Sequence, residues 1–122
     1  MTVIKVRQVV KYGGHSVGAN GNVNLTLKAS YSELPNTVKL LQLLNNDIEL
    51  KVRMPGGTAT KLGMMRLKEA KVDGDGESII KLNGLSDYVE LDNLNSLIAG
   101  EEFAVLYKGE VEEEDEENDE SE

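Results

Sequence analysis

The segment Asn22–Ala29, NVNLTLKA, alternates apolar and polar side chains without a break, and that period of two restricts the fold more than any other feature. Val23, Leu25, Leu27 and Ala29 fall on one side, Asn24, Thr26 and Lys28 on the other. Such a segment buries one face and wets the other only as a strand. The same alternation runs through DIELKVRM, where Ile48, Leu50, Val52 and Met54 oppose Glu49, Lys51 and Arg53 until Pro55-Gly56-Gly57 ends the run. EEFAVLYKG places Phe103, Val105 and Tyr107 on one phase. TVIKVRQVV, rich in β-branched residues, sets Ile4, Val6 and Val10 against Lys5 and Arg7. KLGMMRLKEAKV is less regular, since Met64 and Met65 break the alternation as a bulge or bend at Gly63 would. The turn DGDGE leads into a further strand, ESIIKLNG.

Between these strands, YGGHSVGANGN holds four glycines and the turn dipeptide Asn20-Gly21, and reads as a long, mobile hairpin loop that pairs residues 2–11 with 22–30. Pro35-Asn36-Thr37 opens VKLLQLLNN, whose Val38, Leu41 and Leu44 recur near helical spacing, which predicts a short helix over 36–46 capped by Asn36 or Thr37. Leu91, Leu94, Leu97 and Ile98 mark a second, ended by Gly100. The expectation is a mainly β, antiparallel fold of five or six strands with one or two short helices. It forms one domain over residues 1–109, and residues 110–122 form a disordered acidic tail with almost nothing to bury.

The formal net charge of −9 sums unlike parts. All 13 Lys and Arg precede residue 110 together with 12 of the 22 Asp and Glu, so the body is nearly neutral and the last thirteen residues carry ten carboxylates and no cation. Residues 1–71 alone hold 11 basic and 4 acidic side chains. The first half is distinctly basic.

Several chemistries are excluded. Without cysteine there is no disulfide, thiol nucleophile or Cys-ligated metal, and the single histidine, His15, rules out His-rich metal sites. Asp73-Gly-Asp75-Gly-Glu77 resembles the start of a calcium loop, but positions six and twelve are Ser78 and Gly84, so it reads as a polar turn. Gly57-Thr-Ala-Thr-Lys61 lacks the glycine before lysine and the Ser/Thr after it that a phosphate loop needs. His15 lies in the glycine-rich stretch with no partner nearby in sequence, as an exposed loop residue. No enzyme, cofactor or metal is expected. No signal segment or membrane span is apparent, and the expected location is the cytoplasm, that of a host cell if the protein is phage-encoded.

The positive signal is basic. Lys5, Arg7, Lys28, Lys51 and Arg53 fall on the outer phases of three strands, with Lys11, Lys61, Arg66, Lys68 and Lys71 near them in sequence. If those strands are neighbours, the charges form one patch for nucleic-acid phosphates. Tyr12 and Tyr31 flank the first hairpin as candidate base-stacking surfaces. The acids Glu110, Glu112, Glu113, Glu114, Asp115, Glu116, Glu117, Asp119, Glu120 and Glu122 form a candidate partner-binding tail.

A small β-rich body, a basic first half with two tyrosines beside a Gly-rich hairpin, and a terminal acidic run together resemble the single-stranded DNA-binding proteins of tailed bacteriophages. That resemblance implies an OB-like barrel, with a helix between its third and fourth strands, and largely sequence-independent binding of single-stranded DNA in phage replication or recombination. It further implies replication or recombination proteins as partners of the tail, and it leaves a homo-oligomer open. Unlike many such tails, this one ends Asp119-Glu-Ser-Glu122 with no hydrophobic tip. The competing readings are an acidic protein-interaction module, either an inhibitor mimicking DNA or a phage assembly protein.

Overall fold

The computed structural model describes residues 2–54, 57–97 and 101–111. Six strands, β1 (Thr2–Val17), β2 (Asn22–Ala29), β3 (Asp47–Arg53), β4 (Ala59–Val72), β5 (Ser78–Leu85) and β6 (Glu102–Val111), close into a barrel in the order β1-β2-β5-β4-β3-β6. Every adjacent pair is antiparallel. Among the described residues closure leaves no edge strand open. The alternating residues supply the core: Val23, Leu25 and Leu27 from β2, Ile48, Leu50 and Val52 from β3, and Phe103, Val105 and Tyr107 from β6 are all buried. Among the described residues no helix is long and apolar enough to cross a membrane.

The glycine-rich stretch is mostly strand, contrary to the expected long loop, and only Gly18–Gly21 turns, closed by a Gly18 N–H donating to the Asn22 carbonyl at 2.7 Å. Register with β2 slips between Tyr12, opposite Leu27, and His15, opposite Leu25, so Gly13 and Gly14 together oppose Thr26. This is a β-bulge. Gly14 has φ of +114°, and a Cβ on Gly13 would stand 2.9 Å from the Thr26 carbonyl oxygen, so both positions need glycine. The bulge lets one strand serve two neighbours. Residues 2–11 pair with β6, not with 22–30 as the hairpin reading had it, and only Lys11–Val17 pairs with β2.

A second bulge lies where Met64-Met65 break the alternation. Gly63 opposes Leu50 while Lys61 opposes Lys51, leaving Leu62 extra. Gly63 has φ of +120°, and a Cβ there would stand 2.1 Å from the Tyr88 carbonyl oxygen. The chain after β5 docks at this point through a Gly63–Val89 bridge and a Glu90 N–H donating to Leu62, before the short helix α2 (Leu91–Asn95). The remainder of that predicted helix, Ile98 and Gly100, lies outside the described residues.

Helix α1 (Leu34–Leu40) follows a 3-10 turn at Tyr31–Glu33 and runs into another at Leu41–Leu43. It lies between β2 and β3, where hydrophobic spacing put it, and not after a third strand as the family resemblance implied. Its phase differs from the expected one. Leu40 and Leu43 are fully buried, whereas Val38 and Leu41 are 57% and 46% exposed. With leucine at 40, 41, 43 and 44, either phase gives an apolar stripe, and the shape of the barrel mouth chooses. Glu33, not Asn36 or Thr37, stands at the cap position, and no side chain caps the helix. Thr37 instead faces inward and is buried.

A chain of hydrogen bonds crosses the interior. Tyr107 donates to Gln8 Oε1 at 3.0 Å, Gln8 Nε2 donates to Thr37 Oγ1 at 2.8 Å, and Thr37 donates to Ser78 Oγ at 2.8 Å. The chain ties β6, β1, α1 and β5 and satisfies polar groups that would each be costly to bury alone.

Strand β6 continues beyond the expected end of the body, since Glu110 and Val111 pair with Val3 and Thr2. The acids Glu112 to Glu122 lie outside the described residues.

Candidate nucleic-acid interface

Because β6 alternates, its inward Phe103, Val105, Tyr107 and Gly109 leave Ala104, Leu106 and Lys108 facing out. Its neighbours decide what surrounds them. On one side β1 sets Lys5 opposite Lys108, Arg7 opposite Leu106 and Val9 opposite Ala104. On the other β3 sets Glu49 opposite Lys108, Lys51 opposite Leu106 and Arg53 opposite Ala104, and β4 adds Lys61 opposite Lys51. Small or apolar residues floor a shallow groove, and cations from both sides wall it. With neighbouring strands about 5 Å apart, the walls on β1 and β3 stand about 10 Å from each other.

Two clefts mark this groove. One of ≈ 290 Å³ is lined by Arg7, Lys51, Arg53 and Leu106, and one of ≈ 480 Å³ at the start of β6 by Arg7, Val9, Arg53, Met54, Glu102 and Ala104. Ion pairs among the described residues are confined to Arg66–Asp47 at 3.0 Å, Lys71–Glu69 at 3.2 Å and Lys81–Glu69 at 3.7 Å. None involves Lys5, Arg7, Lys51, Arg53, Lys61 or Lys108. Lys5, Arg7, Lys51, Arg53 and Lys61 are left to water or to an anion, whereas Lys108 lies opposite Glu49 and shares a cleft with Asp47, Glu49 and Glu110.

Of the residues predicted from sequence, Lys5, Arg7, Lys51, Arg53 and Lys61 are brought together. Lys11 and Lys28 are cross-strand partners outside the groove, in a small cleft shared with Glu77 and Glu102. Arg66 is held by Asp47, and Lys68 lies with it in a separate cleft beside Tyr88. Neither tyrosine lines the groove. Tyr12 is half-buried, packs against the core and shares a hydrogen bond with His15 Nδ1. Tyr31 is 68% exposed and sits against Gly76 in the β4–β5 turn. Lys108 was missed by a reading that weighed the basic first half, although its outward phase on β6 was legible from Phe103, Val105 and Tyr107.

His15 is a half-buried strand residue and not an exposed loop residue. Its Nε2 reaches Asn95 Oδ1 at 3.0 Å, and through Tyr12 and Asn95 it ties the first hairpin to α2. Among the described residues no three His, Asp or Glu side chains are placed to hold a metal ion. The phenol of Tyr107 is pushed well above its usual range, first by burial and then by the nearby charge of Glu33. It faces the interior and takes no part in the groove.

No protein-family model matches the chain, and no curated protein matches its sequence.

Proposed function

We propose that the protein binds single-stranded DNA along β6, largely without regard to sequence. The observation that supports this reading is the grouping of five cations from β1, β3 and β4 around a floor of Ala104 and Leu106, none of them in an ion pair among the described residues, with Lys108 of β6 at the end where Glu49 lies opposite it. Lysine and arginine at such a groove neutralise backbone phosphates and release counterions, which yields affinity without base reading. Engaging all six gives a salt slope of about −4 for single strands, hence a fall of about 300-fold in affinity between 50 and 200 mM salt. Replication or recombination is the setting in which such an activity is used.

The acidic tail continues from the strand that floors the groove. Eleven residues follow Val111 and can reach at most about 40 Å, more than the length of β6. Tethered at an effective concentration in the millimolar range, the tail competes with phosphates for the same cations and offers its carboxylates to protein partners when DNA displaces it.

Fluorescence anisotropy with labelled single-stranded and duplex oligonucleotides tests this, using the full chain and one ending at Val111, at low and near-physiological salt. The expected result is salt-sensitive binding to single strands that strengthens on truncation, more at low salt than at high. Absence of binding by either chain at low salt overturns the proposal and leaves the acidic tail as the active surface. Unchanged affinity on truncation removes the tail's competing role alone.

A further inference from the structure

The wider cleft at the start of β6 differs in chemistry from the rest of the groove. Arg53 lies opposite Ala104, and Arg7 two residues further along β6 opposite Leu106, so two guanidinium groups flank β6 on opposite sides. Between them the floor is apolar, made by half-buried Val9, Met54 and Ala104. At the rim stands Glu102, an exposed carboxylate directly across from Lys11. A carboxylate at the mouth does nothing for a passing phosphate, whereas the apolar floor that runs on from the groove gives a ring a face to lie on. Both suit a flat ring with a polar edge.

We propose that this cleft takes one base of the bound strand and that Glu102 reads it in favour of guanine, an inference that rests on the single-strand reading of the groove. The planar, weakly hydrated guanidinium groups of Arg7 and Arg53 stack on a base face, the role aromatic rings usually fill and which no tyrosine fills here. The carboxylate offers two acceptor oxygens and no donor. Guanine matches it with adjacent N1–H and N2–H donors. Adenine and cytosine set a ring-nitrogen acceptor beside their amine, and thymine flanks its single N–H with two carbonyls. The preference is local, because phosphate contacts elsewhere still supply most of the affinity.

The test is fluorescence anisotropy at fixed salt with an oligothymidine, the same oligomer carrying one central guanine, and one carrying hypoxanthine, which lacks the 2-amino group. The native chain is expected to bind the guanine oligomer about fivefold more tightly than oligothymidine, the low end for a bidentate base contact, with hypoxanthine giving less than half of that gain. Glu102→Gln should abolish the guanine preference while holding or raising the affinity for oligothymidine, since it removes a negative charge from the groove. Equal, measurable binding of all three oligomers by the native chain overturns the base reading and leaves the groove standing. A uniform loss of affinity in Glu102→Gln assigns the residue a structural role and also overturns it. Absence of binding to every oligomer overturns both proposals.

Discussion

The hydroxyl of Tyr107 on β6 donates to the side-chain oxygen of Gln8 on β1 at 3.0 Å, inside the barrel and out of reach of water. Gln8 is an amide among apolar neighbours, and it is tolerated because both ends of the amide are used, the oxygen by Tyr107 and the nitrogen by Thr37. The same contact fixes β6 against β1, and with it the row in which Arg7 faces Leu106. Interior polar pairing thus holds the strands whose outer faces make the groove.

Tyr107→Phe leaves Gln8 Oε1 unsatisfied in the core and should cost about 1–2 kcal/mol, and Gln8→Ala, which strands both Tyr107 and Thr37 and opens a cavity, about 2–4 kcal/mol. Urea denaturation measures both. Stability equal to that of the native chain in both variants would show that the chain contributes nothing to folding.

Alkaline pH provides a separate check on Tyr107. Burial raises its pKa in the folded state, so stability is fully present below the unfolded value of about 10 and is lost as pH climbs above it, when the unfolded chain releases the proton and the folded one retains it. Lysines titrate in the same window, so the informative quantity is the gap between native chain and Tyr107→Phe. That gap should be constant from pH 6 to 9 and narrow above about pH 10. A constant gap to pH 11 would place the phenol in contact with water.

Gly63→Ala meets both an unfavourable φ and the Tyr88 carbonyl at 2.1 Å. The expected loss is about 2–3 kcal/mol, read from the shift in thermal midpoint. Gly74→Ala, with open space around it, should change stability by no more than about 0.5 kcal/mol. Similar midpoints for the two variants would contradict the docking of the Tyr88 segment on β4.

Leu40→Ala and Leu41→Ala test the phase of α1. Fully buried Leu40 should cost about 2–5 kcal/mol, and half-exposed Leu41 about 0.5 kcal/mol. The reverse order in urea titrations would restore the phase read from sequence.

In the groove, Lys51→Ala and Lys108→Ala should each weaken binding of single strands and reduce the salt slope by about 0.7. Arg66→Ala and Lys71→Ala, whose charges are engaged by Asp47 and Glu69, should do much less. A loss from Arg66→Ala as large as from Lys108→Ala would move the interface to the β4–β5 side.

The sequence by itself determined most of the strands, the glycine-rich end of β1 excepted, and the face that the alternating ones turn inward, because alternation is a local property: Leu25 and Leu27, or Ile48 and Leu50, go inward whatever lies beside them. It also located the irregularity at Gly63, since a broken period is a local signal, whereas the paired glycines of β1 read as a loop and proved to be a bulge within the strand. What only the tertiary structure decided is adjacency. Nothing in TVIKVRQVV states that it pairs with the last strand and not with the next one, yet that pairing sets β6 between β1 and β3 and brings Lys108 beside Lys5. Likewise Tyr12 faces the core and the hairpin's His15, and α1 presents Leu40 over Leu41, because packing selects among faces that sequence leaves equivalent. The reason is physical: side-chain direction along a strand is set by the backbone within two residues, whereas strand partners are chosen by closing one barrel around a common core.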